Sequence, residues 1–176
     1  AAEALPLLVT GANVPLVADI HYQHELALRS IEAGVAKLRI NPGNIGSRDK
    51  VREVVQAAKD AGVPIRVGVN KGSLHRRYEK LAATDPAGAL VQSALDELEV
   101  FEQLDYRDVL VSLKSSEPME VIEACRRFAK ISDVPQHLGV TEAGTLAAGI
   151  ARSTTAMGVL LAEGIGDTVR ISLADD

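Results

Sequence analysis

The strongest constraint on this chain is an alternation of β-branched runs with helical patterns, in which every run has one apolar face. The runs are 15–20, 36–41, 64–70, 108–114, 135–141 and 168–173, each opening after a proline, a glycine loop or an acidic turn. Between them, Val51, Val54, Val55 and Ala58 recur at helical spacing, and Gly62 with Pro64 ends that helix. Leu90, Val91, Ala94, Leu95, Leu98 and Phe101 form a longer stripe, with Asp85-Pro86 as its cap and first turn. Met119, Ile122 and Cys125 mark another helix, and a last one covers 151–162, stopped by Gly164 and Gly166.

Strands alternating with helices point to a parallel sheet with crossover helices. Strand parity then separates a flat sheet from a barrel. Leu16, Ala18 and Ile20 share a face; so do Leu38 and Ile40; Ile65, Val67 and Val69; Val109, Val111 and Leu113; Leu138 and Val140; Val169, Ile171 and Leu173. The opposite faces carry Asp19 and His21; Arg39 and Asn41; Arg66, Gly68 and Asn70; Ser112 and Lys114; His137, Gly139 and Thr141; Arg170 and Ser172. A sheet covered on both sides should be apolar on both faces. One apolar and one polar face fits an α/β barrel of the TIM type, with helices outside and the charged groups late in each strand, at the mouth where such barrels do chemistry.

A complete barrel of this type has eight strand–helix units, and about six are legible here. Residues 1–11 read as the tail of an earlier helix. The expectation is therefore a partial (β/α)8 barrel over 1–176, without its first two units and without whatever follows the eighth strand. Open edges should make such a piece self-associating.

A net charge of −5 gives no global attraction to nucleic acid or anionic membrane, and 3% aromatics with no Trp leaves little for base stacking. No apolar run is long enough to span a bilayer and no export signal is evident. The single cysteine, Cys125, reads as a small core residue that cannot hold a metal cluster alone. These features suit a cytoplasmic protein.

Four cations fall on the polar face of four strands: Arg39, Arg66, Lys114 and Arg170. Each could pair with a carboxylate such as Asp19 or Glu142, but two carboxylates do not neutralise four cations. A multiply charged anion, most simply a diphosphate, would. Asn41, Asn70, Thr141 and Ser172 add neutral donors and acceptors, and Gly68 leaves space beside Arg66. Asp19 and His21 can act as acid and base or simply hydrogen-bond; alone they are an incomplete metal site. Glu142, in Val-Thr-Glu-Ala-Gly, could pass a proton to a departing hydroxyl. His137 reads as a core hydrogen-bonder, whereas His24, His75, Arg76 and Arg77 read as solvated surface.

The stretches Pro-Leu-Val-Ala-Asp-Ile-His (15–21), Arg-Ile-Asn-Pro-Gly-Asn-Ile-Gly (39–46), Ile-Arg-Val-Gly-Val-Asn (65–70), His-Leu-Gly-Val-Thr-Glu-Ala-Gly (137–144) and Leu-Leu-Ala-Glu-Gly-Ile-Gly-Asp-Thr-Val-Arg-Ile-Ser-Leu (160–173) resemble the 4-hydroxy-3-methylbut-2-enyl diphosphate synthase family, in order and over almost the whole chain. The resemblance implies a barrel followed by a small C-terminal domain that carries a [4Fe–4S] cluster. It implies reductive opening and dehydroxylation of 2-C-methyl-D-erythritol 2,4-cyclodiphosphate in the methylerythritol phosphate route to isoprenoids. Ferredoxin or flavodoxin would supply the electrons to a homodimer in the bacterial cytoplasm or the plastid stroma. It further implies Arg39, Arg66, Lys114 and Arg170 as diphosphate ligands, Asp19, His21, Asn41, Asn70 and Ser172 as polar contacts, and Glu142 as the catalytic carboxyl. Cluster ligands are absent from these residues, so the chain alone is expected to be inactive in the redox step. Lys71 stands where the family more often has a small residue and reads as surface charge. A phosphosugar aldolase using a Lys114 Schiff base, a pterin-binding barrel and a binding-only domain are the competing readings.

Overall fold

In the computed structural model, which describes residues 2–174, the chain divides into two compact units. The first runs to Val67 and includes Asp96–Leu110; the second takes Gly68–Leu95 and continues from Val111. Strands alternate with helices throughout, as the sequence pattern requires.

In the first unit, helix α1 (Leu5–Gly11) occupies the segment read as a helix tail, and β1 (Val17–Ile20), α2 (His24–Glu32) and β2 (Lys37–Ile40) follow. Then come the short α3 (Pro42–Ile45), α4 (Arg48–Ala61) and the opening of β3 (Ile65–Asn70). β1 pairs with β2, and β2 with β3, in parallel. The Ile65 amide donates to Asp108 O at 2.9 Å, just before β4 (Val109–Lys114). Ser47 caps α4 by accepting from the Lys50 amide, and Gly62 ends it in the left-handed region at φ 66°. The helix buries Val51, Val54, Val55 and Ala58, the residues its periodicity singles out. Phe101 stacks on Tyr106, whose hydroxyl donates to Val63 O at 2.6 Å.

In the second unit, α6 (Pro86–Gln103) begins where Asp85 Oδ1 accepts from the Gly88 amide. It follows the short α5 (Glu79–Thr84). After β4 come α7 (Pro118–Ala129), β5 (His137–Leu138), α8 (Leu146–Ala162) and β6 (Thr168–Val169). β5 and β6 pair in parallel, and α7 packs on α8. Val69, Leu90, Val111, Leu113, Ile122, Phe128, Leu138 and Leu160 are buried here.

Several elements differ from the sequence pattern. β5 and β6 form only short ladders, because the Thr141 amide turns to Ser115 O and the Ala174 amide to Gly144 O. α8 starts at Leu146 rather than 151, since Ala147, Ala148 and Gly149 carry no apolar stripe to announce it. Of the three residues that mark α7, Ile122 and Cys125 are buried with Val121, Ala124 and Phe128, while Met119 in the first turn is exposed. Val169, Ile171 and Leu173, expected under helices, are each about half exposed. No described helix is long and apolar enough to cross a membrane.

Candidate functional site

Parallel pairing fixes which side chains stand together in the first unit. The register sets Asp19 beside Arg39 and Arg39 beside Arg66, so a carboxylate and two guanidinium groups form a row on one face. Burying Arg39, only 6% exposed, requires a partner. Asp19 Oδ1 supplies it, accepting from Nη1 at 2.8 Å. His21 Nε2 lies 3.1 Å from the same Nη1 and 3.3 Å from Asp19 Oδ1. With Nε2 deprotonated, the ring accepts from Arg39; with it protonated, the ring donates to Asp19. The carboxylate pairing weighed from sequence is thus realised for Arg39. Asn41 is buried at the end of β2, where its carbonyl accepts from the Asn44 amide at 2.9 Å. A side chain at Gly43 would meet Asn41 Oδ1 at 3.4 Å, so glycine leaves that amide approachable.

In the second unit, the residues sit at strand ends. Asn70 closes β3, and its buried Oδ1 has no hydrogen-bond partner among the described residues. Lys114 closes β4 and is buried. Gly139 makes room for it: a Cβ there would stand 3.2 Å from Lys114 Nζ and 2.8 Å from Arg170 O. Glu142 is exposed and has φ 50°, an uncommon conformation for a residue with a side chain. Arg170 is exposed and Ser172 half-buried. Asp19, His21, Arg39 and Arg66 are therefore brought together. Lys114 meets Gly139 and the Arg170 backbone, while the Arg170 and Glu142 side chains face solvent.

Glu120 and Ser115 are not singled out by the sequence pattern, and Lys71 has a role that its sequence setting does not announce. Lys71 is not plain surface charge: its Nζ donates to Glu120 Oε1 at 2.6 Å. The other Glu120 oxygen accepts from the Ser115 hydroxyl. The available signal was position, since Lys71 and Ser115 directly follow Asn70 and Lys114. His24, read as solvated, is mostly enclosed, with Nδ1 3.0 Å from Glu25 and Nε2 3.6 Å from Glu53. His137 is buried against Thr168 Oγ1 at 2.8 Å, in keeping with a structural hydrogen bond.

No group of three or more His, Cys, Asp or Glu among the described residues could hold a metal ion. Cys125 is buried, and burial pushes its thiol up to about 12. These residues do not fit an iron–sulfur cluster.

Among curated relatives, the 4-hydroxy-3-methylbut-2-en-1-yl diphosphate synthase (flavodoxin) of Symbiobacterium thermophilum is 51% identical over 176 residues, covering all of this chain and 48% of that protein. The proteins of the same name from Geobacillus kaustophilus and Bacillus subtilis are 51% and 49% identical, with 47% of each covered. The chain thus spans about half the length of the curated relatives it matches. Among solved structures, a dihydropteroate synthase from Xanthomonas albilineans in complex with 7,8-dihydropteroate superposes with TM-score 0.64 at 15% identity, over 96% of this chain and 65% of that one. A phosphoenolpyruvate phosphomutase from Streptomyces platensis subsp. rosaceus gives TM-score 0.56 at 18% identity, over 96% and 58%. Likeness at such identity speaks for the fold alone. The GcpE TIM-barrel domain family matches across residues 1–176, in line with the parallel α/β architecture, and the chain belongs to that family.

Proposed function

We propose that this domain is the substrate-binding barrel of a 4-hydroxy-3-methylbut-2-en-1-yl diphosphate synthase. The observation that carries the reading is identity of about half to proteins of that name along the entire chain. The substrate would be 2-C-methyl-D-erythritol 2,4-cyclodiphosphate, opened and reduced to the linear diphosphate with loss of water. Flavodoxin is the proposed electron donor, on the strength of the relatives' names. The [4Fe–4S] cluster would be ligated outside this chain, which offers no thiolate set, and the complete enzyme would be a homodimer in the cytoplasm or plastid stroma.

In this reading, Arg39, Arg66, Lys114 and Arg170 bind the diphosphate oxygens, with guanidinium forks and a mobile ammonium suited to phosphate. Asp19 holds the Arg39 fork in place, and His21, Asn41, Asn70 and Ser172 orient the remaining oxygens. Glu142 transfers a proton to the departing hydroxyl. Its left-handed backbone is the kind of local strain that functional positions retain.

The test is calorimetric binding of the cyclic diphosphate to the full-length protein. Arg66→Ala and Arg170→Ala should each weaken binding by about 2 kcal/mol or more, the size of a lost charge-assisted contact. Unchanged affinity in both would remove these residues from the site. Glu142→Gln should lower kcat more than it raises Kd; a defect confined to Kd would assign Glu142 to positioning instead.

A further inference from the structure

Lys71, Glu120 and Ser115 lie outside the residues assigned above, yet each touches the ends of the strands that carry them. Lys71 directly follows Asn70, and Ser115 directly follows Lys114. Glu120 joins the two, accepting from Lys71 Nζ at 2.6 Å through one oxygen and from the Ser115 hydroxyl through the other. Ser115 is fully buried, and its oxygen also accepts from the Glu117 amide at 3.2 Å, so the hydroxyl is used as donor and acceptor at once. The Ser115 carbonyl accepts from the Thr141 amide at 3.1 Å, and Thr141 directly precedes Glu142. On the far side of Glu142, Ala143 O accepts from Arg152 Nη1 at 3.4 Å.

We propose that Lys71, Glu120 and Ser115 form a polar tie that holds the exits of β3, β4 and the strand before Glu142 in one arrangement, with Glu120 as the central positioning residue for Asn70, Lys114 and Glu142. Each of these three is one peptide from a member or partner of the tie, a Cα spacing of about 3.8 Å, so torsional freedom in one passes directly to the other. Glu142 needs such support most. Its φ of 50° persists only where the surroundings hold it, and the bonds at Thr141 and Ala143 lie on either side. An ion pair on an open surface would do little. Here Glu120 is mostly enclosed, and its second oxygen is committed to a buried hydroxyl.

The inference rests on the functional reading above, and two readouts on the full-length protein separate their failures. The first is calorimetric affinity for the cyclic diphosphate at low salt. Glu120→Ala should raise Kd about tenfold, the scale of a coupled network contact. Glu120→Gln keeps an acceptor for Ser115 and loses the ion pair, so it should fall between Glu120→Ala and the wild type. The double variant Lys71→Ala with Glu120→Ala should be no weaker than Glu120→Ala alone. The second readout is hydrogen exchange at the Thr141 amide, which needs no substrate and should accelerate in Glu120→Ala. Should Glu120→Ala fail to fold, Glu120→Gln carries both measurements. A Kd within about twofold of wild type in both Glu120 variants overturns the positioning role, even if melting temperature falls. Unchanged Thr141 exchange overturns the tie itself. A wild-type protein that does not bind the cyclic diphosphate overturns the functional reading, and the exchange data still decide whether the tie exists.

Discussion

Two segments of this protein are nearly the same in sequence pattern and opposite in fate. Leu38-Arg39-Ile40-Asn41 and Val169-Arg170-Ile171-Ser172 both read apolar, arginine, isoleucine, polar. In the first, Leu38 and Ile40 are inaccessible and Arg39 is buried against Asp19. In the second, Val169 and Ile171 are half exposed and Arg170 faces solvent. The local pattern is nearly the same, so the neighbours make the difference. β2 has a strand on each side and α2 against it, whereas β6 is an edge of a two-stranded ladder among the described residues. Period-two alternation states which residues share a face; only packing states whether that face is covered.

The largest test of this contrast is stability. Ile40→Ala should destabilise by about 3 kcal/mol through lost transfer and cavity formation, and Ile171→Ala by less than about 1 kcal/mol. Chemical denaturation measures both, and equal losses would break the comparison. Next comes Gly139→Ala, beside β6. Its Cβ would stand 2.8 Å from Arg170 O, a backbone atom that cannot simply rotate away. A loss of about 1–3 kcal/mol is expected, with Lys114 displaced; a neutral substitution would show that β5 and β6 yield freely here.

The smallest effect is at a helix cap, where a local bond and one distant partner act together. The Gly88 amide first, and Arg127 second, hold the Asp85 carboxyl below its ordinary value. A depressed folded value means that this contribution is present above the unfolded pKa and is lost as pH falls through the folded one. Asp85→Ala should cost about 1 kcal/mol at neutral pH as a lost helix cap. In acid, below the folded value, the wild-type and Asp85→Ala stabilities should converge. A pH-independent gap between them would show that the carboxylate charge has no part in the cap.

Much of the architecture was legible in the residues. The valine stripe of α4, the Asp85-Pro86 start of α6 and the Gly62 stop all follow from helical spacing, capping and glycine's access to positive φ. The row Asp19, Arg39 and Arg66 was readable as a shared polar face, but its register was not. Met119 keeps helical spacing with the buried Ile122 and Cys125 but is itself exposed, because it lies in the first turn of α7, before the buried run that opens at Val121. Position pointed to Lys71 and Ser115 beside Asn70 and Lys114, but their joining through Glu120, 49 residues from Lys71, was not legible, because no local pattern links segments so far apart.

The amino-acid order by itself determined the alternating elements, their caps and the side of each strand that carries charge, because these depend on neighbours within a few residues. Tertiary structure decided which apolar faces are covered, that Arg39 finds Asp19, and that Glu142 holds a left-handed backbone. Those outcomes turn on desolvation and hydrogen bonds between distant segments, which no local pattern encodes.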